Sequence, residues 1–172
     1  MKPVRSFSIL LLFCLMLVEV SAQVSSTAAS IGIDAKVLAP ITIENTGSTP
    51  INFGTLSRSS LEGTVTVSAE GVRTADGGVS VLTSSDFSAA PFGVTGDNSA
   101  AFSITLPANG TVELTRSGGS EKMAVDDFAH NSTLTLSATG TATFNVGATL
   151  TVNADQVPGE YSGSFSVTVA YQ

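Results

Sequence analysis

Residues 159–172 read GEYSGSFSVTVAYQ, and this stretch is the best guide to the fold class. From Tyr161 onward the odd positions are mostly apolar or aromatic, whereas the even positions are small and mostly polar. A period of two gives an extended strand one apolar face and one polar face. Such a strand must pair along its edges and bury its apolar face. The stretch therefore predicts a β-sandwich that is completed by its C-terminal strand.

The same two-residue alternation recurs earlier in the chain, between clusters of turn-forming residues. The clearest segments are residues 29–37, 51–56, 64–68, 101–106, 141–146 and 148–152. No stretch of about 12 residues has the periodicity of a helix. The chain is therefore predicted to be all-β, an immunoglobulin-like or pilin-like antiparallel β-sandwich of about ten short strands.

One pair of strands is predicted to form a hairpin. Residues 107–110 read Pro-Ala-Asn-Gly, and Asn-Gly is a preferred pair in tight turns between antiparallel strands. Residues 112–114 are then expected to return along the strand at residues 101–106.

The first 22 residues have the composition of a secretory signal peptide. Lys2 and Arg5 precede an apolar run at residues 7–18, and Val20-Ser21-Ala22 supplies small residues for cleavage. The run is shorter than the roughly 20 residues that a membrane-spanning helix needs. We therefore expect cleavage after Ala22, no membrane insertion afterwards, and export to the periplasm, the cell surface or the extracellular space.

Residues 23–172 are then expected to fold as one domain. The only cysteine, Cys14, lies in the signal peptide, so the exported chain has no disulfide, which is typical of a bacterial envelope protein. Without Lys2, Arg5 and Glu19 the formal net charge changes from −7 to −8. A surface of this charge repels nucleic acid, so nucleic-acid partners are not expected.

Residues for catalysis are scarce. His130 is the only histidine, no G-x-S-x-G motif occurs, and His130 is expected to lie exposed in a loop. A zinc site needs several His, Cys or carboxylate ligands, and apart from the single His130 only carboxylates remain after cleavage. We therefore expect no enzyme activity, no catalytic residue, no cofactor and no metal site.

Three groups of residues resemble a known family when taken in order. Pro40-Ile41-Thr42-Ile43 precedes residues 51–56, Phe92-Gly93-Val94-Thr95-Gly96 precedes residues 102–107, and residues 146–150 precede the C-terminal stretch. The order resembles an uncharacterised family of secreted bacterial β-domains, a domain of unknown function. That family is distantly similar to spore-coat protein U and to chaperone–usher pilin subunits.

The resemblance to pilins implies a role for the C-terminal strand. Pilin subunits often have a glycine ahead of an alternating last strand and a penultimate aromatic residue, and Gly159 and Tyr171 occupy those places. In pilins a chaperone binds that strand, and a groove accepts a strand from a neighbouring subunit. The implied assembly strand comprises Gly159, Tyr161, Phe165, Val167, Val169 and Tyr171, with residues 29–37 as a second candidate.

Two functions are thus compatible with the sequence. The favoured one is a secreted, non-catalytic, surface-assembly protein whose partners are other copies, a pilus-type chaperone or other envelope proteins. The alternative is a monomeric envelope module that binds a glycan or Ca²⁺ through its acidic loops, because Ca²⁺ prefers carboxylate and carbonyl oxygens. The candidate acidic residues are Asp76, Asp97, Asp126, Asp127 and Asp155.

Overall fold

The computed structural model describes residues 27–172, so the predicted signal peptide lies outside the described residues. The chain divides after Lys36 into two units, and residues 37–172 form the second. Residues 27–36, the described part of the first unit, contain no helix or strand. The strand predicted at residues 29–37 is therefore not formed in the single chain. Alternation shows which side chains a segment could bury, but it does not show whether a neighbouring strand is available for pairing.

The second unit contains twelve strands, two more than the approximate count predicted from the sequence. They are β1 (Thr42–Asn45), β2 (Leu56–Ser57), β3 (Gly63–Val67), β4 (Arg73–Gly77), β5 (Ser80–Val81), β6 (Ala90–Thr95), β7 (Phe102–Thr105), β8 (Val112–Arg116), β9 (Lys122–His130), β10 (Thr141–Val152), β11 (Tyr161–Ser162) and β12 (Thr168–Tyr171). A 3-10 turn spans Thr46–Ser48. Residues 27–172 include no helix that is long and apolar enough to cross a membrane.

The longest strand, β10, organises the main sheet. Along one edge its first half pairs with β6 and its second half with β3, while β9 pairs with its other edge. The eight-stranded sheet follows the order β1-β6-β10-β9-β8-β11, with β3 and β4 attached through β10. All strand pairs are antiparallel, and the predicted all-β sandwich is confirmed.

Two short sheets, β7–β12 and β2–β5, complete the fold. Phe102 from β7 belongs to a buried cluster with Phe144 and Val146 of β10. Leu56 and Val81 from β2–β5 pack against a second buried cluster. That cluster contains Val65, Val67, Met123, Val125, Leu150 and Val152. Because β10 contributes to both clusters, it joins the two halves of the hydrophobic core.

The C-terminal stretch keeps the predicted alternation but is not one continuous strand. From Tyr161 to Tyr171 the odd positions other than Gly163 are partly buried and the even positions are exposed, as predicted. However, β11 pairs with β8 of the main sheet, whereas β12 pairs with β7 of a short sheet. Residues 163–167 carry the chain from one sheet to the other, which interrupts the strand.

The predicted hairpin around residues 107–110 is wrong. The strand β7 pairs with β12, and β8 pairs with β9 and β11. Instead, the Asn109 amide donates to Asp127 Oδ1 at 2.9 Å, and the Asp127 backbone N–H donates to Asn109 Oδ1 at 2.9 Å. These two bonds attach the turn to β9, so the chain passes between sheets and does not fold back on β7.

Candidate functional site

A groove of about 930 Å³ lies beside the cluster that contains Leu150. One wall is formed by residues 50–58 and the other by residues 156–163. The apolar side chains between the walls are Leu114, Met123, Leu150 and Val152. The groove is therefore an apolar channel between two segments of backbone, each of which contains one two-residue strand, β2 or β11.

The first wall, residues 50–58, is paired along one edge only in the part of the chain that the structure describes. Its strand β2 pairs with β5, and Asn52 exchanges two backbone hydrogen bonds with Ser88, at 2.8 and 3.0 Å. The partner residues 80–88 do not line the groove. The unpaired edge of this wall is therefore the one that faces the groove.

Arg73 of β4 holds the first wall in place. Its guanidinium donates to the carbonyl oxygen of Phe53 at 3.1 Å, to Ser85 Oγ at 3.0 Å and to the carbonyl oxygen of Leu82 at 2.7 Å. It also lies over the Phe87 ring, 4.5 Å from the centroid, as in cation–π contacts. A Cβ atom at Gly54 would overlap this guanidinium, so glycine permits the contact.

The second wall lies against the side chain of Arg116. A Cβ atom at Gly159 would be 2.9 Å from both Cγ and Cδ of Arg116, so only glycine fits this close approach. The Arg116 guanidinium donates to Glu121 Oε2 at 2.6 Å. This hydrogen bond lowers the pKa of Glu121 and raises that of Arg116, which favours the charged form of both side chains.

Tyr161 closes a hydrogen-bond network at the base of the second wall. Its hydroxyl donates to the carbonyl oxygen of Val157 at 2.7 Å and accepts from Gln156 Nε2 at 2.8 Å. The buried Gln156 also donates to the carbonyl oxygen of Lys122 at 3.3 Å. A tyrosine bonded to backbone a few residues upstream resembles the tyrosine corner of immunoglobulin-like sandwiches. The role of Gln156 as a hydrogen-bond partner of Tyr161 was not predicted from the sequence. The signal for a tyrosine corner is nevertheless present, because the Pro158-Gly159 turn comes shortly before Tyr161.

One end of the groove is closed by contacts between its two sides. Arg58, at the end of the first wall, forms an ion pair with Asp155 at 3.3 Å. The Asp155 backbone N–H also donates to the carbonyl oxygen of Ser59 at 2.9 Å. These contacts fix the separation of the two walls at that end.

The predicted assembly residues fall into two groups. Gly159 and Tyr161 lie in the second wall, whereas Phe165, Val167, Val169 and Tyr171 pack against the protein's own core. Phe165 contacts Phe128, with ring centroids 5.1 Å apart, and packs against both clusters. The Tyr171 hydroxyl donates to the carbonyl oxygen of Ala39 at 2.8 Å and accepts from the Asp97 backbone N–H at 2.6 Å. Of the predicted strand, therefore, only the beginning borders the groove.

A match to one protein family covers most of the described chain. Residues 41–171 match the family described as Domain of unknown function (DUF4402). The chain belongs to this DUF4402 family. No curated protein and no solved structure matches the chain. The DUF4402 match includes all twelve strands and both walls of the groove, whereas residues 29–37 lie outside it.

The acidic residues considered for Ca²⁺ contact the DUF4402 domain's own groups. Asp127 has a left-handed backbone with φ of 51°, and next to it Asp126 Oδ1 accepts from the Gly110 N–H at 2.6 Å. Asp76 Oδ1 accepts from the Gly77 N–H at 2.7 Å. Within residues 27–172, no three His, Cys, Asp or Glu side chains are grouped as metal ligands would be. The Ca²⁺ or glycan alternative stays a hypothesis.

His130 is neither in a loop nor exposed, contrary to the prediction. It is the last residue of β9 and is half-buried, with its ring centroid 6.0 Å from that of Phe144. Its Nδ1 accepts a hydrogen bond from the Ser132 backbone N–H at 3.2 Å. The imidazole therefore packs on the DUF4402 core and orders the start of the following loop.

A Tyr161→Phe substitution is expected to destabilise the DUF4402 domain by about 1–2 kcal/mol. The change removes only the hydroxyl, so Val157 loses the donor to its carbonyl oxygen and Gln156 loses one acceptor. Urea unfolding should show a lower midpoint with an unchanged slope. Ser164→Ala, at an exposed position of the same stretch, is the control and should leave the midpoint unchanged. Equal midpoints for wild type and Tyr161→Phe would contradict this role.

Proposed function

We propose that this chain is a secreted, non-catalytic structural or surface-assembly protein, pilin-like in its use of strands. It binds an extended segment of a partner by strand addition in the groove. The observation that supports this proposal is the pair of walls. Each wall contains a short strand, β2 or β11, that pairs with one neighbouring strand within residues 27–172, and the two walls flank one apolar floor. Unpaired strand edges of this kind are templates for another strand.

Strand addition would use both features of the groove. Backbone N–H and C=O groups of a bound segment would pair with those of the walls, which supplies affinity independent of sequence. Alternate side chains of the segment would face the floor at Leu114 and Met123, which supplies specificity for apolar residues at every second position.

The partner belongs in the envelope if the signal-peptide prediction holds. Export to the periplasm, the cell surface or the extracellular space would expose the groove to other copies, to a pilus-type chaperone and to other envelope proteins. Each could supply an extended segment with alternating apolar side chains, and none of these functions requires a catalytic residue.

Binding of designed peptides tests strand addition. A labelled nine-residue peptide with alternating Val and Ser is expected to bind, whereas a peptide of the same composition with its valines grouped together should bind at least tenfold more weakly. Ser162→Trp places a large side chain in the wall and should weaken binding of the alternating peptide at least tenfold. Ser120→Trp, in an exposed loop that does not line the groove, is the control. Fluorescence anisotropy gives the affinities. The proposal fails if the alternating peptide does not bind or if Ser162→Trp has no effect.

A further inference from the structure

An extended segment with the properties that the groove requires is present in this chain. We infer that the groove binds residues 29–37 of a second copy, so that the protein assembles with itself. This inference rests on the proposed function, because it names the occupant of the same groove.

The apolar side chains of this segment are exposed to water. Residues 29, 31, 33, 35 and 37 are Ala, Ile, Ile, Ala and Val. In the described chain Ile31 is 86% exposed, Ile33 is 96% exposed and Val37 is 92% exposed. Three large aliphatic side chains on one face of the segment are therefore exposed to water, and burial of each would be favourable.

The segment is also long enough for the groove. A strand rises about 3.3 Å per residue, so residues 29–37 in extended form span about 30 Å. The first wall, residues 50–58, has the same number of residues. Gly54 turns the wall with a φ of 81°, so the wall is shorter than a straight strand of nine residues. One copy of the segment is therefore long enough to reach from one end of the wall to the other.

The charged side chains of the segment lie at its even positions only. The even positions of the segment are Ser30, Gly32, Asp34 and Lys36. When the odd positions face the floor, these residues face away from it, so no charged side chain enters the apolar part of the groove. Asp34 and Lys36 also cancel, so the segment adds no net charge when it approaches another acidic copy.

Disulfide trapping between copies tests which segment occupies the groove. In a Cys14→Ser background, chains carrying Asp34→Cys are mixed with chains carrying Ser162→Cys under mild oxidation. Ser162 is exposed, whereas Tyr161 beside it packs on the core, so the Ser162 side chain lies on the face of the strand that points away from the floor, as Asp34 does in the bound segment. A covalent dimer linking positions 34 and 162 is expected, and it can form only between two copies. Ile33→Cys is the matched control: its side chain faces the floor, so its yield should be at least fivefold lower. Equal yields from positions 33 and 34 would overturn the inference.

Peptide binding separates failure of this inference from failure of the proposed function. A peptide of residues 28–38 should bind the Ile31→Asp/Ile33→Asp chain, whose own segment is disabled. The same peptide with Ile33→Asp should bind about tenfold to a hundredfold more weakly. If the Val–Ser peptide binds and the 28–38 peptide does not, strand addition stands but this occupant is wrong. If neither peptide binds, both ideas fail.

Discussion

A Gly147→Ala chain is expected to lose about 3 kcal/mol or more of its free energy of unfolding. Gly147 lies in β10 where the strand changes partner from β6 to β3. A Cβ atom there would overlap the carbonyl oxygen of Val67 and approach the Ala69 nitrogen to 2.6 Å. Both obstacles are backbone atoms, so rotation of a side chain cannot relieve the overlap, and β3 must shift away from β10.

Urea or thermal unfolding measures this effect. Gly32→Ala is the matched control, because a Cβ atom at Gly32 would meet no atom within 4 Å, and its stability should stay within about 0.5 kcal/mol of wild type. If Gly147→Ala is as stable as Gly32→Ala, then β3 and β6 do not share one edge of β10 as described.

An Arg73→Ala chain is expected to lose about 2–4 kcal/mol of stability, because hydrogen bonds from a charged donor contribute more than neutral ones. The substitution removes the donors to the carbonyl oxygens of Phe53 and Leu82 and to Ser85, together with the contact to Phe87. Because the Phe53 carbonyl belongs to the first wall, we also expect weaker binding of the alternating peptide.

Arg58→Ala is the control for removing a positive charge near the same groove. Its ion pair with Asp155 is largely exposed, so its loss should cost no more than about 1 kcal/mol. Arg73→Lys tests geometry, since an ammonium group cannot replace a planar guanidinium at three acceptors. Equal effects of Arg73→Ala and Arg58→Ala in urea unfolding would show that Arg73 does not hold the wall.

In the C-terminal stretch, alternation indicates correctly which side chains are buried, but it does not indicate which strands pair. The odd positions of the C-terminal stretch other than Gly163 are the partly buried ones, as predicted. Its division between two sheets could not be predicted, because pairing depends on β8 and β7, which are distant in sequence. The same limitation explains the error at residues 29–37, where the pattern is present but no strand forms.

Side-chain hydrogen bonds account for the failed hairpin. Asn-Gly usually joins paired strands, but here the Asn109 side chain binds the backbone and carboxylate of Asp127. Turn preference is a local property, whereas the position of Asp127 follows from the pairing of β9 with β10. The conformation of this turn therefore depends on Asp127, a residue that is distant from the turn in sequence.

The groove could be anticipated only in part. Gly159 and Tyr161 are among the predicted assembly residues, and both line a wall. The opposite wall, residues 50–58, comes from the other end of the domain, and its position depends on Arg73. Sequence patterns describe single segments, and a groove between two segments appears only when both have been placed.

Hydrogen–deuterium exchange is the most direct test of strand addition in the groove. Exchange is compared for residues 23–172 alone and for the same chain saturated with the alternating peptide or assembled with itself. We predict slower exchange of backbone amides in residues 50–58 and 159–163, with unchanged exchange in β10. Binding or assembly that leaves both walls exchanging as in the chain alone would contradict the account.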